Sequence, residues 1–376
     1  MVKEKNFFIV SSVAESLVLF RGELIQELVS RGFNIQVLAP NLNRKNSYTD
    51  KLNAWGVRLL NLPIVGAKIS LLRDIYAIFV MIIYFLRFNP HYVLSYNLKP
   101  VLLSNLICWI FKTKKRFIII TGLGYFFLDH KINSIATRII KIFYNFTLKR
   151  ASKIFFQNQD DMNLFKKMFK IPSNKTVLTN GSGVNIDYFK SKSLPKEKRF
   201  LMIARLIKAK GVKEYLLSAQ IIKKKYPFIN FNLVGFFENN IDSINKDFVE
   251  SFVNEGVLNF LGKLEDVRDE ISNSSIFVLP SYREGMPRTV LEAMSVGRPI
   301  ITSNVPGCKD TVKDGVNGFL IEPKSIQSLV HAMEKMINLD DVALSNMGKQ
   351  SRLIAEQKYD VNKVNKNILS NFFNND

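Results

Sequence analysis

NFFIVSSVAESLVLFRGELIQELVSRGFNIQVLAP, running from Asn6 to Pro40, changes its hydrophobic period twice. Asn6 to Val10 is a short β-rich apolar run. FRGELIQELVSRG (20–32) then spaces its apolar residues at helical intervals and stops at Gly32, and NIQVLAP (34–40) reads as strand again. The order is β-α-β. Working outward, further strands are expected at RLLNLP, YVLSY, RFIIIT, KIFFQN and KTVLTN, with helices at 72–87, 99–111, 132–149 and 159–169. Alternation of this kind predicts a parallel α/β domain.

NGSGVNIDYFKSKSLPKEKR (180–199) is polar, broken by glycine and proline, and without period, so it marks a domain boundary. Beyond it the alternation restarts with RFLMIA, a helix through GVKEYLLSAQIIKKKY, FNLVG, a helix near 243–254, LNFLG, a short helix near 266–272, IFVLP, a helix at 287–296 and PIITS. At 376 residues, two cores are expected rather than one. The predicted architecture is two doubly wound α/β domains, 1–185 and 186–355, with a helical tail at 356–376 returning to the first. Open sheets bind ligands at the carboxyl ends of their strands, so two facing domains would make a cleft.

The charge is uneven. Residues 1–190 carry 27 Lys and Arg against 10 Asp and Glu, and 51–150 carry 15 against two, Asp74 and Asp129. That field suits an anionic partner, either a membrane surface or nucleic acid; Lys-rich, Asn-rich and Ile-rich usage along the whole chain offers compositional drift as a plainer source. Segments such as LLRDIYAIFVMIIYFLRF and RIIKIFYNFTLKR mix aromatic, aliphatic and basic residues as interfacial helices do, although core helices with solvated lysines read similarly. The longest apolar run, Ala77 to Leu86, is too short to span a bilayer, so a soluble or peripheral protein is expected. Cys108 and Cys308 have no CxxC or His partner spacing, which argues against a disulfide framework or zinc site and for a reducing compartment.

The chemistry concentrates in SYREGMPRTVLEAMSVGRPII, Ser281 to Ile301. Pro287 suits a first helical turn and Gly297 a stop, so Glu284 falls in the loop and Glu292 on the second turn. The amides from Gly285 through Met286, Arg288 and Thr289 to Val290, with Pro287 among them, open at a strand's carboxyl end, where a helix N-terminus favours phosphate. Glu292 is placed to reach the vicinal hydroxyls of a ribose, and Glu284 those of a second sugar. Taken singly, the glutamates also read as a helix-end charge and a surface residue. In MIARLIKAKGVKEYLLSA (202–219) a strand delivers Arg205, and Lys210 follows five residues on, a pair of cations suited to a pyrophosphate.

FLMIARLIKAKGVKEY and the stretch from VLPSYREGMPRTVLEAMSVGRPIITS to NGFLIEP resemble the donor domain of glycosyltransferase family 4, a retaining family with the GT-B fold of two Rossmann-like domains. FRGELIQEL, SYNLKPVLLSNLI and TGLGYFF resemble members that extend sugars on a polyprenyl diphosphate. The resemblance implies that Arg205 and Lys210 bind the donor diphosphate, that Glu284 holds the donor sugar, that the amides after Gly285 meet the distal phosphate and that Glu292 binds the ribose. Gly262, Lys263 and Leu264 match the loop that accepts the nucleobase. Many members carry histidines around SYNLKP; here Asn97 and Lys99 stand and are expected to contact substrate, so a histidine base there is not implied. Ser11 and Ser12, at the end of the first strand, are expected to point at the cleft; Gly122 and Gly124, after RFIIIT, are expected to let the backbone approach the ligand, a tight turn being the plainer source, and His130 is expected to line the cleft.

The implied reaction needs no side-chain base, because the departing diphosphate oxygen can take the acceptor's proton while the protein positions and neutralises. No D-x-D pair occurs, so no divalent metal and no cofactor is expected. The expected activity is a retaining, metal-independent transfer of a hexose or N-acetylhexosamine from a nucleotide sugar, a UDP-sugar first, to a lipid-diphosphate-linked saccharide. The setting would be surface polysaccharide assembly on the cytoplasmic face of an inner membrane. A GT-B epimerase and a basic nucleic-acid-binding protein are the rivals. The latter lacks any recognition-helix, RNP-like or zinc-finger pattern.

Overall fold

The structure is a computed structural model that describes residues 5–64, 70–122, 135–238 and 242–373. Two compact units emerge: Met1–Ser182 with Asn365–Asp376, and Gly183–Val364.

In the first unit β1 (Asn6–Val10), β2 (Asn34–Ala39), β3 (Arg58–Asn61), β4 (Tyr92–Tyr96), β5 (Lys115–Ile120), β6 (Lys153–Phe156) and β7 (Thr176–Leu178) form a sheet in the order β3-β2-β1-β4-β5-β6-β7, all parallel. The order runs leftward from β1 and rightward from β4, which puts a topological switch point between them. α3 (Leu71–Phe88), α4 (Leu98–Ile110), α5 (Ile135–Arg150) and α6 (Gln159–Phe169) pack on the face that carries Phe8, Val10, Val93, Ile118 and Ile120. Parallel strands covered on both faces are apolar throughout, and β4 and most of β1 and β2 are buried accordingly.

Two elements depart from the sequence reading here. α1 spans Ala14–Ser30, beginning six residues before Phe20, because Leu17, Arg21, Leu24, Ile25 and Leu28 share one buried stripe that the polar Ser11, Ser12 and Glu15 obscure. α2 (Ser47–Ala54) has no clear apolar period. Its start is set by a capping box in which the Asn46 side chain accepts from the Thr49 amide at 3.0 Å while Thr49 Oγ1 accepts from the Asn46 amide at 2.9 Å.

The second unit repeats the plan with β8 (Arg199–Ile203), β9 (Asn230–Val234), β10 (Asn259–Phe260), β11 (Ile276–Leu279), β12 (Ile300–Ser303) and β13 (Gly318–Ile321), in the order β10-β9-β8-β11-β12-β13, again parallel. Its switch point lies between β8 and β11. The connecting helices are α7 (Val212–Lys225), α8 (Lys246–Asn254), α9 (Arg268–Ser272) and α10 (Arg288–Val296), followed by α11 (Ile326–Asn338), α12 (Asp341–Ile354) and α13 (Val361–Phe373). β13 has no counterpart in the sequence reading. Its short GFLI run begins at Gly318, whose would-be Cβ lies 1.8 Å from the Ile300 carbonyl oxygen, so only glycine lets β13 pair with β12 there.

α13 starts in the second unit and ends in the first. In the first unit Phe372 stacks on Phe117 at 4.2 Å between ring centroids, and Phe373 stacks on Phe33 at 5.2 Å. Cys108 and Cys308 are buried free thiols. Among the described residues no helix is long and apolar enough to cross a membrane.

Candidate active site

Arg205 and Lys210 follow β8, and Glu284 and α10 follow β11, so both sequence motifs open at the switch point of the second sheet. Two glycines make the approach possible. Gly211 sits at φ +72°, and a Cβ there would lie 2.1 Å from the Pro280 carbonyl oxygen. Gly307, at φ +80°, presses against the Glu284 carbonyl oxygen, which a Cβ would meet at 2.4 Å. Both positions need glycine for conformation and for space.

The loop around Glu284 is tied at several points. Lys210 Nζ donates to Glu284 Oε1, and Ser281 Oγ donates to the same oxygen at 2.6 Å. The Glu284 amide donates to Pro306 O at 3.2 Å, and the Tyr282 amide to Ala209 O at 2.9 Å. The Tyr282 hydroxyl donates to Glu214 at 2.8 Å; burial, then the Glu214 charge, pushes its pKa up. Cys308 lies near Glu284 and Lys210, and burial followed by the Glu284 charge keeps it a neutral thiol. Arg205 pairs with Glu238 at 2.7 Å, half in solvent. Each cation of the pair therefore faces a carboxylate in this state, and a diphosphate would compete with both.

α10 begins one residue later than the sequence reading, with Pro287 at its N-cap. Gly297 ends it at φ +88°. Arg288 and Glu292 form an i,i+4 ion pair at 3.1 Å with both side chains mostly buried, so Glu292 is not a freely solvated residue. Val290 departs from expectation: its side chain is wholly in the core and its amide donates to Pro287 O at 3.1 Å, so it faces no ligand. Met286 and Leu264 are partly buried, with their side chains packed against the core. Gly262 turns at φ +66° and its carbonyl accepts from the Gly235 amide at 2.9 Å, while exposed Lys263 reaches over the Phe236 ring at 5.2 Å. Thr289 is half-buried on the first turn.

Sequence reasoning missed Ser281, Glu238 and Gly307. Ser281 lies three residues before Glu284 in the same quoted stretch. Glu238 and Gly307 both follow strand ends, β9 and β12, which is the positional signal that finds them.

At the switch point of the first sheet, Ser11 and Asn97 meet. Ser11 Oγ donates to Asn97 Oδ1 at 3.2 Å and shares a 2.9 Å hydrogen bond with Ser16, which bonds Tyr96 at 3.0 Å. The Ser12 amide also points to Asn97 Oδ1, at 3.4 Å, and Asn97 itself sits at φ +69°. Ser11 is fully buried, so its hydroxyl serves this network rather than a ligand. Lys99 is buried as well and pairs with Asp74 at 2.9 Å, pinning α4 to α3. Gly122 lies at φ +136°; Gly124 and His130 lie outside the described residues.

Residues 185–354 match the family model of the glycosyl transferases group 1. The chain is 27% identical over 369 residues, 94% of each protein, to the N,N'-diacetylbacillosaminyl-diphospho-undecaprenol alpha-1,3-N-acetylgalactosaminyltransferase of Campylobacter jejuni. It is 25% identical, over 86% of this chain and 85% of the other, to the UDP-Gal:alpha-D-GlcNAc-diphosphoundecaprenol alpha-1,3-galactosyltransferase of Escherichia coli. Its fold is that of a glycosyltransferase from Rickettsia africae, at 17% identity, a TM-score of 0.78 and full coverage of both chains. With GT-B architecture, two switch points and a glycosyl transferases group 1 domain over residues 185–354, this protein is a glycosyltransferase.

Proposed function

We propose that the chain moves a hexose or N-acetylhexosamine from a UDP-sugar to a lipid-diphosphate-linked saccharide, with retention and without a divalent metal, in surface polysaccharide assembly. The observation that carries this reading is the gathering of Arg205, Lys210, Glu284 and the start of α10 at one switch point. Two undecaprenyl-diphosphate-linked acceptors, a uridine diphosphate donor and alpha linkages in the names of the relatives support it.

In this reading the bond from the sugar's anomeric carbon to the diphosphate oxygen breaks, and the acceptor hydroxyl oxygen bonds that carbon on the same face. The acceptor's proton passes to the departing diphosphate oxygen. Arg205 and Lys210 neutralise the charge that grows there. Glu284 holds hydroxyls of the donor sugar, the amides of Gly285, Met286, Arg288 and Thr289 meet the distal phosphate, and Glu292 holds the ribose. Gly262, Lys263 and the Leu264 backbone border the base. Ser12, Asn97 and Gly122 border the acceptor.

The test is transfer from a panel of UDP-sugars to a synthetic polyprenyl-diphosphate sugar, with and without EDTA, and NMR of the product's anomeric proton. An alpha product at an unchanged rate in EDTA is expected. A beta product from an alpha donor sinks retention, and loss of rate in EDTA sinks metal independence.

The basic first unit would hold the enzyme on the anionic cytoplasmic face of the inner membrane. On α3, Leu72, Ile75, Tyr76, Phe79, Ile83 and Leu86 follow a helical spacing and are each 49 to 83% exposed, an apolar stripe flanked by Arg73 and Arg87. Replacing Ile75 and Phe79 together by Glu is expected to weaken binding to vesicles of equimolar phosphatidylcholine and phosphatidylglycerol by about 100-fold. The thermal midpoint should not move, because both side chains already sit in water. Unchanged vesicle binding would remove α3 from the contact.

A further inference from the structure

At the end of the first sheet's strands opposite the switch point, the end of α4 and the start of β5 line an open cavity of about 600 Å³. Its lining includes Trp109, Ile110, Lys112, Lys114 and Arg116, with no carboxylate among the lining residues. Arg116 is the unusual member. Its Nε and Nη1 are buried and have no hydrogen-bond partner. Burial first, and then the neighbouring Arg150 cation, pull its pKa down, and Arg116 in turn repels Lys175. Arg150 is held over Phe146 at 3.6 Å, and Trp109 packs edge-on to the same ring at 5.5 Å. A protein that gathers cations around a partly buried guanidinium without an acid leaves a site for an external anion.

The surroundings select the kind of anion. Trp109 and Ile110 are half-exposed beside the cations, and Ile142 and Phe143 on α5 are exposed as well. The register that aligns Phe8, Val93 and Arg116 puts the guanidinium on the sheet face covered by α3, α4 and α5. A small soluble anion has no use for an apolar rim; a phosphate attached to acyl chains does.

We infer that this cavity binds the phosphate of an anionic lipid, with Arg116, Lys112 and Lys114 on the headgroup and Trp109 and Ile110 against the first part of the chains. The inference rests on the membrane docking proposed above and adds a defined headgroup site to it.

Trp109 is one of two tryptophans, so in the full chain carrying Trp55→Phe its emission reports on the cavity. Vesicles of equimolar phosphatidylcholine and phosphatidylglycerol should shift that emission to the blue, and phosphatidylcholine alone should not. Arg116→Met should raise the half-saturating lipid concentration about 30-fold, as loss of a charge-assisted contact does. Lys141→Met, which removes one charge from α5 outside the cavity, should raise it only about fivefold. Lys114→Gln, at an exposed position that folding does not need, should fall between them. Equal small effects of Arg116→Met and Lys141→Met, with the α3 double variant still defective, would overturn the cavity and leave the docking intact. No vesicle binding by the wild type would overturn both. Inorganic phosphate that quenches Trp109 and displaces the vesicles would assign the site to a free anion instead. Concentration-dependent dimers in sedimentation that bury Trp109 without lipid would assign this face to a second copy.

Discussion

Glu284→Ala is expected to lower kcat by about 10³-fold, near 4 kcal/mol of transition-state stabilisation, while the affinity for UDP stays within about threefold. The carboxylate is the fixed point of the loop. Ser281 and Lys210 both donate to its Oε1, and the carbonyl of the same residue is wedged against Gly307. Removing the side chain deletes the proposed hold on the sugar hydroxyls and also releases Lys210 from its carboxylate. The free ammonium can then bind a diphosphate at least as well as before, so the loss appears in turnover rather than in nucleotide binding. Glu292→Ala is expected to give the opposite pattern. Its partner Arg288 stays on the first turn of α10, but the proposed ribose contact goes, and UDP binds about tenfold more weakly. Steady-state kinetics beside calorimetry with UDP separates the two. Equal losses of both quantities in both variants would break the assignment of one glutamate to each end of the donor.

The second large effect is on stability. Arg298 is fully buried, yet it meets only carbonyl oxygens: Ser274 at 2.8 Å, Ser193 at 3.0 Å, Val296 at 3.2 Å, Ser272 at 3.4 Å, and Lys192. Ser272 ends α9 and Val296 ends α10, so the guanidinium lies at the negative ends of two helices and straps the 192–193 segment to them. Burial pulls its pKa down to about 10, which still leaves it charged at neutral pH. Arg298→Met keeps the aliphatic stem and takes the guanidinium donors from these carbonyls, of which Val296 O keeps the Lys192 amide at 3.1 Å. The expected cost is about 4 kcal/mol, or a fall of about 10 °C in the thermal midpoint of the second unit. A change below about 1 kcal/mol in urea unfolding would mean that the carbonyls find other partners.

The strands of both units are legible because buried parallel strands write themselves as short apolar runs, and KRFIII or IFVL admits little else. α2 is hidden because an Asn46 cap defines it rather than a period, and β13 because it rests on the fit of Gly318 against β12. At the site, the spacing of Arg205, Lys210, Glu284 and Glu292 is visible in one dimension. Their carboxylate and cation partners are not, since Glu238 joins Arg205 from the end of another strand and Lys210 joins Glu284 across the switch point. Val290, Lys99 and Ser11 read as ligand-facing from position alone, whereas core packing, an Asp74 pair and a hydroxyl network claim them. Position along a strand tells which end a residue occupies; what it touches there is settled by neighbours remote in sequence.

The helix that begins at Val361 and carries Phe372 and Phe373 onto Phe117 and Phe33 also has a meaning for biosynthesis. The first unit's aromatic core includes residues that the ribosome makes after the whole of the second unit. A nascent chain that has reached Val364 would therefore hold a complete second unit and a first unit with a hole in its hydrophobic interior. Quality control by proteases would see such a product as incompletely folded, so the first unit is expected to mature only once Asn365 to Phe373 have been made.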